Sequence, residues 1–167
     1  GGEREVCTSL LTGSDDPSVL FVTFTRQPED CVTQLETAGA EVRKTAVVTV
    51  GESGAGGVGD VVTESLSSPS DLTGLGIEVG QFLSEWEPPV AVCFDSLTSM
   101  LQYVDFETAY EFLHAITGQV HAAGARAHFH IDPAAHDPKQ VAGITSLFDA
   151  SVSLAEETSV RTRDVIA

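Results

Sequence analysis

Two histidines and an aspartate alternate in the segment His-Phe-His-Ile-Asp, at His128, His130 and Asp132. Because alternate side chains of a β-strand point to the same face, the pattern predicts three neighbouring metal-ligating groups. Imidazoles and a carboxylate are typical ligands of hydrolases that bind Zn²⁺ or a pair of metal ions. The alternative is that the histidines pack against a flanking helix, while Asp132 caps the turn that begins at Asp132-Pro133.

A second candidate site lies where the apolar run 90–94 ends in Asp95 and Ser96. An apolar strand that ends in aspartate is typical of the segment that holds the Mg²⁺ of a bound nucleotide. Aspartate is also common at strand ends as a turn or cap residue. Arg4 and Arg26 are the candidate phosphate contacts, because a guanidinium binds phosphate well. ATP or ADP with Mg²⁺ is therefore the candidate cofactor.

The three cysteines, Cys7, Cys31 and Cys93, show neither a CxxC pair nor another metal-binding spacing. Two of them lie in apolar periodic stretches, where a free cysteine behaves as a small buried hydrophobe. We therefore predict three free thiols, as expected in a reducing cytoplasm.

Strand and helix signals alternate along the chain. Apolar runs bounded by glycine or proline predict strands over 19–24, 46–50, 90–94, 125–131 and 150–154. Apolar residues at helical spacing predict helices over 3–11, 28–39, 71–86, 106–123 and 137–148. The Gly/Ser-rich segment 51–70 is predicted to be a loop, and residues 155–167 an edge strand or a tail.

This alternation predicts an α/β fold in three α/β/α layers, with a mainly parallel central sheet of about five strands. We expect residues 1–154 to form a single domain. In such sheets ligands bind at the carboxyl ends of the strands, near a switch in strand order. We therefore expect a functional site at one or more of these strand ends: Thr25-Arg26, Gly51 onward, Asp95-Ser96 and Asp132-Pro133.

The chain of 167 residues carries a formal net charge of −17, from 25 acidic and 8 basic residues. Such a surface repels nucleic acids and anionic lipids, so we expect neither as a partner. Scarce lysine and abundant acid predict a halophilic source, because concentrated salt screens the self-repulsion. No run approaches the ~18 apolar residues of a membrane span. With no signal-peptide pattern at its start, the protein is predicted to be cytoplasmic.

Several segments resemble the KaiC/RecA-like ATPase domains, and most of all the divergent KaiC-like proteins of haloarchaea. These are FDSLTSM from Phe94, FLHAITGQVHAAGA from Phe112 and DPAAH from Asp132. The order of elements also resembles that family from Val19 to about Leu154. The resemblance implies a RecA/P-loop-like fold, a Mg²⁺ ligand at Asp95 and edge-to-edge assembly around a nucleotide.

Two motifs of that family are changed. Its phosphate-binding loop ends in GK[ST], whereas this chain reads Gly1-Gly2-Glu3-Arg4, with Glu3 at the lysine position and Arg4 at the Ser/Thr position. A carboxylate there repels phosphate. The glutamate pair that activates the attacking water is replaced by Thr25-Arg26, and threonine offers no carboxylate base. We therefore predict that the domain does not hydrolyse ATP.

Three functions follow from these observations. The first is a non-hydrolysing regulatory, signalling or scaffolding module that binds a protein partner or copies of itself. The second is a nucleotide-binding protein that keeps a Mg²⁺ site at Asp95. The third is a metal-dependent hydrolase centred on His128, His130 and Asp132.

Overall fold

The computed structural model describes residues 2–51, 59–154 and 158–162. The helices are α1 (Gly2–Leu11), α2 (Pro28–Thr37), α3 (Leu72–Glu85), α4 (Leu97–Met100), α5 (Phe106–Ala122) and α6 (Pro138–Thr145). The strands are β1 (Ser18–Thr23), β2 (Lys44–Val50), β3 (Val62–Leu66), β4 (Val90–Asp95), β5 (Arg126–Phe129), β6 (Ala150–Leu154) and β7 (Thr158–Thr162). A short 3-10 turn covers Pro133–Ala135.

Five strands form one parallel sheet in the order β3-β2-β1-β4-β5. β1 lies at its centre and is buried along its whole length, as expected of a strand that is covered on both faces. The chain builds the sheet outward from β1 to β3 and then returns to the other side of β1 with β4. The carboxyl ends of β1 and β4 therefore flank the switch in strand order, where α/β sheets bind ligands.

Helices cover both faces of the sheet, which confirms the predicted α/β fold with a mainly parallel central sheet. On one face α3, α5 and α6 pack against an apolar core that includes Val22, Val92 and Leu113. On the other face α1 and α2 pack against a separate cluster that includes Phe21, Val47 and Cys93. Strand alternation explains the division, because neighbouring residues of one strand point to opposite helical layers.

The helices of the first face begin at acidic caps that fix where each strand-to-helix connection ends. Asp71 accepts a hydrogen bond from the Gly74 N–H, and Asp105 accepts one from the Thr108 N–H, both at 2.9 Å. Each cap satisfies an N–H that has no partner inside its helix. The helix starts predicted from sequence agree with these caps.

Two predictions about the strands were wrong. The predicted loop 51–70 contains β3, an edge strand whose polar residues Thr63, Glu64 and Ser65 give it little apolar signal; residues 52–58 lie outside the described part. The segment predicted as the fifth strand of the main sheet, now β6, instead pairs antiparallel with β7. β7 is thus a strand within the predicted edge strand or tail 155–167, but its partner is β6.

Over the ranges that the structure describes, none of the helices combines the length and the apolar character needed to cross a bilayer.

Candidate metal centre

Four side chains meet between α1 and the sheet, and we call them the Cys2His2 cluster: Cys7, Cys93, His128 and His130. Each contributes one ligand atom, and all four atoms lie within 4.8 Å of one another. They come from three separate elements, namely α1, β4 and the end of β5. The cluster therefore joins parts of the chain that are distant in sequence.

The parallel register of β4 and β5 places three members of the cluster. Cys93 lies directly opposite His128 across the two strands. His130 follows β5, and its N–H donates to the Phe94 carbonyl at 2.9 Å, which continues the pairing with β4. Because side chains alternate along a strand, His130 lies on the same face as His128. The fourth member, Cys7, is on the buried side of α1, next to Leu11 in the core beneath that helix.

Three of the six separations between ligand atoms are close to those of a tetrahedral zinc site. The Sγ atoms of Cys7 and Cys93 are 3.5 Å apart. Cys93 Sγ lies 3.3 Å from His130 Nε2, and Cys7 Sγ lies 3.0 Å from His128 Nε2. Tetrahedral Zn²⁺ with ordinary Zn–S and Zn–N bonds sets its ligand atoms roughly 3.3–3.8 Å apart. For these three pairs, a central ion requires outward shifts of only a few tenths of an ångström.

A carboxylate supports one of the imidazoles from behind. The Nδ1 of His130 is 2.9 Å from Glu3 Oε1, on the side of the ring opposite the cluster. A proton on Nδ1, donated to Glu3, leaves Nε2 with its lone pair directed at the two sulfurs. Histidines that bind metals usually have such a partner, which fixes the tautomer and the ring orientation.

Hydrogen bonds within the cluster favour the ionised form of one of its two sulfurs. The hydrogen bond between Cys7 and Cys93 is the strongest influence on the pKa of Cys7 and lowers it, burial opposes this, and hydrogen bonds with His128 and His130 lower it further. That same hydrogen bond, together with burial, raises the pKa of Cys93. Burial disfavours the charged form of His130, but the bonds and charges of Cys7, Asp95 and Glu3 raise its pKa overall. A readily ionised sulfur among nitrogen donors suits a cation.

The structure brings together two of the three predicted metal ligands. His128 and His130 belong to the Cys2His2 cluster, but Asp132 does not. The Asp132 carboxylate accepts a hydrogen bond from the Ala134 N–H at 3.1 Å and caps the 3-10 turn, as in the alternative considered for it. The predicted set of His128, His130 and Asp132 is therefore corrected to two histidines and two cysteines.

Sequence reasoning missed Cys7 and Cys93 because 86 positions separate them, so no local spacing marks the pair. The signal that was available is the parity of the strands, because Cys93 and His128 share a face once β4 and β5 are known to be neighbours. Cys31 lies in the same core, but it is not among the four ligand residues. Burial raises the pKa of Cys31 to about 11.

The residues predicted to bind a nucleotide lie near the carboxyl ends of β1 and β4 and on α1. At the end of β4, Asp95 lies 4.0 Å from the guanidinium of Arg26, which also donates to the Asp30 carbonyl at 3.0 Å. The Ser96 hydroxyl accepts from the Ser99 N–H at 3.2 Å and caps α4. Arg4 is exposed on α1, which begins at Gly2; Gly1 lies outside the described residues.

The fold has a solved counterpart in the protein PH0250 from Pyrococcus horikoshii OT3, with a TM-score of 0.62 and 14% sequence identity. The likeness covers 92% of this chain and 76% of the solved one, and at this identity it establishes the fold alone. None of the curated proteins matches the chain. Residues 1–154, nearly the whole chain, match a family described as a family of unknown function, DUF7504. The protein therefore belongs to the DUF7504 family.

Proposed function

We propose that this domain binds one Zn²⁺ through the Cys2His2 cluster and acts as a non-hydrolysing regulatory or scaffolding module. The observation that carries the proposal is the convergence of four ligand atoms from three elements within 4.8 Å. Two sulfurs and two imidazole nitrogens in a tetrahedral arrangement favour zinc over harder metals, which prefer oxygen. Two thiolates also balance the charge of the ion, which suits a buried position.

The ligand set favours a structural site over a catalytic one. Catalytic zinc keeps one coordination position open for water or substrate, whereas four protein ligands complete the tetrahedron. Cys7 and Cys93 are only 3% and 0% exposed, so the sulfur side of the site has no access for a substrate. The ion would fasten α1 to β4 and β5, much as a disulfide fastens two elements. A metal-dependent hydrolase is therefore the weaker alternative.

The strand ends also favour a domain without ATPase chemistry. Asp95 is opposite Arg26, so its carboxylate already faces a cation. Glu3, in the place where the resembling ATPases carry lysine, is hydrogen-bonded to His130. Thr25 offers no carboxylate base. Of the functions of the resembling ATPases, docking to a protein partner or to other copies of the chain then remains. A reducing, salt-rich cytoplasm suits both the thiols and the net charge of −17.

Metal binding is tested on protein purified without chelator and on apoprotein titrated with Zn²⁺ and Co²⁺. We expect one equivalent of bound metal, and for Co²⁺ a sulfur-to-metal charge-transfer band with visible bands of tetrahedral intensity. Cys93→Ser and His128→Ala should each weaken binding strongly. The matched control is Cys31→Ser, because Cys31 is equally buried in the same core but is not a member of the cluster.

The variants are compared only after circular dichroism shows that they remain folded, and the cobalt spectrum of the unaltered protein needs no variant at all. Octahedral cobalt without a sulfur band would contradict the proposed ligand set. The non-hydrolysing part is tested by phosphate release from Mg-ATP, which should not exceed the buffer blank. The scaffolding part is tested by light scattering, with zinc-dependent self-association as the expected result for homotypic docking.

A further inference from the structure

We propose that Cys7 and Cys93 form a reversible disulfide when the protein meets hydrogen peroxide or a related small peroxide, and that this reaction expels the metal. The release of metal rests on the proposed zinc site, whereas the disulfide rests on the positions of the two sulfurs alone. The site is then a redox-controlled fastening between α1 and the sheet. Zinc holds α1 in the reduced protein, and a disulfide holds it in the oxidised protein.

The distance between the two sulfurs carries the inference. The Sγ atoms are 3.5 Å apart and their side chains already face each other across the interface of α1 and β4. A disulfide bond measures about 2.05 Å, so the sulfurs must approach by roughly 1.5 Å. Side-chain rotation with a small shift of α1 supplies such a movement, and no strand has to leave the sheet.

Burial selects the oxidant. With exposures of 3% for Cys7 and 0% for Cys93, neither sulfur is open to a bulky disulfide such as oxidised glutathione. A peroxide is small enough to enter through local opening of α1, whose first turn is exposed at Glu3, Arg4 and Glu5. Local opening of this kind costs much less than global unfolding.

The reaction balances with one peroxide. In the metal-free protein the Cys7 sulfur, having given its proton to solvent, attacks a peroxide oxygen. The O–O bond breaks, hydroxide leaves and becomes water, and Cys7 becomes a sulfenic acid. The Cys93 sulfur then attacks the Cys7 sulfur, the S–S bond forms, the S–O bond breaks, and a second water leaves. Two electrons pass from the sulfurs to the peroxide.

In the zinc-loaded protein the same two electrons leave two zinc-bound thiolates, and two protons come from solvent. Both S–Zn bonds break, because a disulfide sulfur no longer carries the charge that binds the metal. His128 and His130 remain as two nitrogen ligands, which hold zinc far more weakly than four ligands do. A dithiol reductant reverses the reaction and restores the site for zinc.

The first part of the test uses metal-free protein, so that it decides the disulfide whatever becomes of the zinc. After peroxide treatment and alkylation under denaturing conditions, peptide mass mapping should show Cys7 linked to Cys93 and Cys31 alkylated. Cys31→Ser should behave in the same way. Cys93→Ser should instead accumulate a sulfenic acid at Cys7 that dimedone traps. Alkylation of both Cys7 and Cys93, or a disulfide that includes Cys31, would overturn the proposal.

The second part uses zinc-loaded protein with a chromophoric chelator in solution. We expect one equivalent of zinc to be released per disulfide formed, and dithiothreitol with added zinc to reload the site. If the protein binds no zinc but still forms the disulfide, the redox reaction is supported and the proposed metal site is contradicted. Zinc binding with retention of the metal under peroxide would leave the proposed function standing and remove the switch.

Discussion

The two faces of the central sheet are built from different chemistry. Under α3 and α5 the contacts are apolar and aromatic, and Phe94 lies 5.0 Å from Phe129 between ring centroids. Under α1 and α2 the described cluster is smaller and includes sulfur, imidazole and a buried hydrogen bond from Gln34 Nε2 to Thr8 Oγ1 at 2.9 Å. The first face is stabilised mainly by the burial of apolar side chains. The second has fewer buried apolar residues, and the proposed metal or disulfide would add to its stability.

Leu113→Ala tests the apolar face and should give the largest effect. Leu113 of α5 is fully buried, so the substitution leaves a cavity that costs about 3–5 kcal/mol in the free energy of unfolding. Because α5 and the Cys2His2 cluster lie on opposite sides of the sheet, the cost should be the same with and without zinc, within about 0.5 kcal/mol. Urea denaturation of both forms measures it. A clear dependence on zinc would show that the two faces are energetically coupled.

Chelation tests the other face. A ligand present at a hundred times its dissociation constant stabilises the folded state by about 2.7 kcal/mol. Removing zinc should therefore lower Tm by roughly 5–10 °C. Hydrogen exchange should show that amides of α1 lose protection before those of α5. Chelator should not change the Tm of the Cys93→Ser variant. If chelation reduced the amide protection of α1 and α5 equally, the two faces would not differ in their dependence on zinc.

Glu3→Ala tests whether the carboxylate behind His130 contributes to the metal site. Loss of such a supporting hydrogen bond typically weakens metal affinity about 10- to 100-fold. Competition with a chelator of known affinity measures the change. The control is Glu5→Ala, because Glu5 is exposed on the same helix and has the same charge. If both variants lose affinity equally, the effect is one of net charge and the hydrogen bond contributes nothing.

Mg-ATP should give the smallest effect, which is no shift in Tm in molar KCl for the unaltered protein or for Asp95→Ala. The reason is that Asp95 already faces Arg26 and Glu3 already pairs with His130. A ligand raises Tm only if it binds the folded state, so thermal melts with and without nucleotide decide the matter. A rise of several degrees that Asp95→Ala abolishes would restore the nucleotide-binding alternative.

The buried elements could be predicted from sequence because their residues are apolar whatever their neighbours are. The runs that became β1 and β4 are examples, and so is the helical spacing of α5. β3 was missed because its residues are largely exposed at the sheet edge. β6 was assigned to the wrong sheet, because the alternating pattern Ala-Ser-Val-Ser-Leu predicts a strand without naming its partner.

Half of the candidate site could be predicted, for the same physical reason. His128 and His130 are two residues apart in the predicted strand 125–131, so local geometry alone puts them on one face. Their meeting with Cys93 depends on which strands are neighbours, and their meeting with Cys7 depends on how α1 lies over the sheet. Both meetings depend on tertiary structure, which local sequence patterns do not reveal.

The pairing of Cys93 opposite His128 has a consequence for the alignment of β5, a strand of only four residues at the end of the sheet. A shift of two residues in one direction would bring Arg126 opposite Cys93. In the other direction it would bring His130 there and leave Asp132 in the place that His130 now occupies. Only the observed alignment offers both imidazoles to the sulfurs. A bound ion would therefore report correct folding, since the chain can bind it tightly only after β5 has paired with β4 in the observed register.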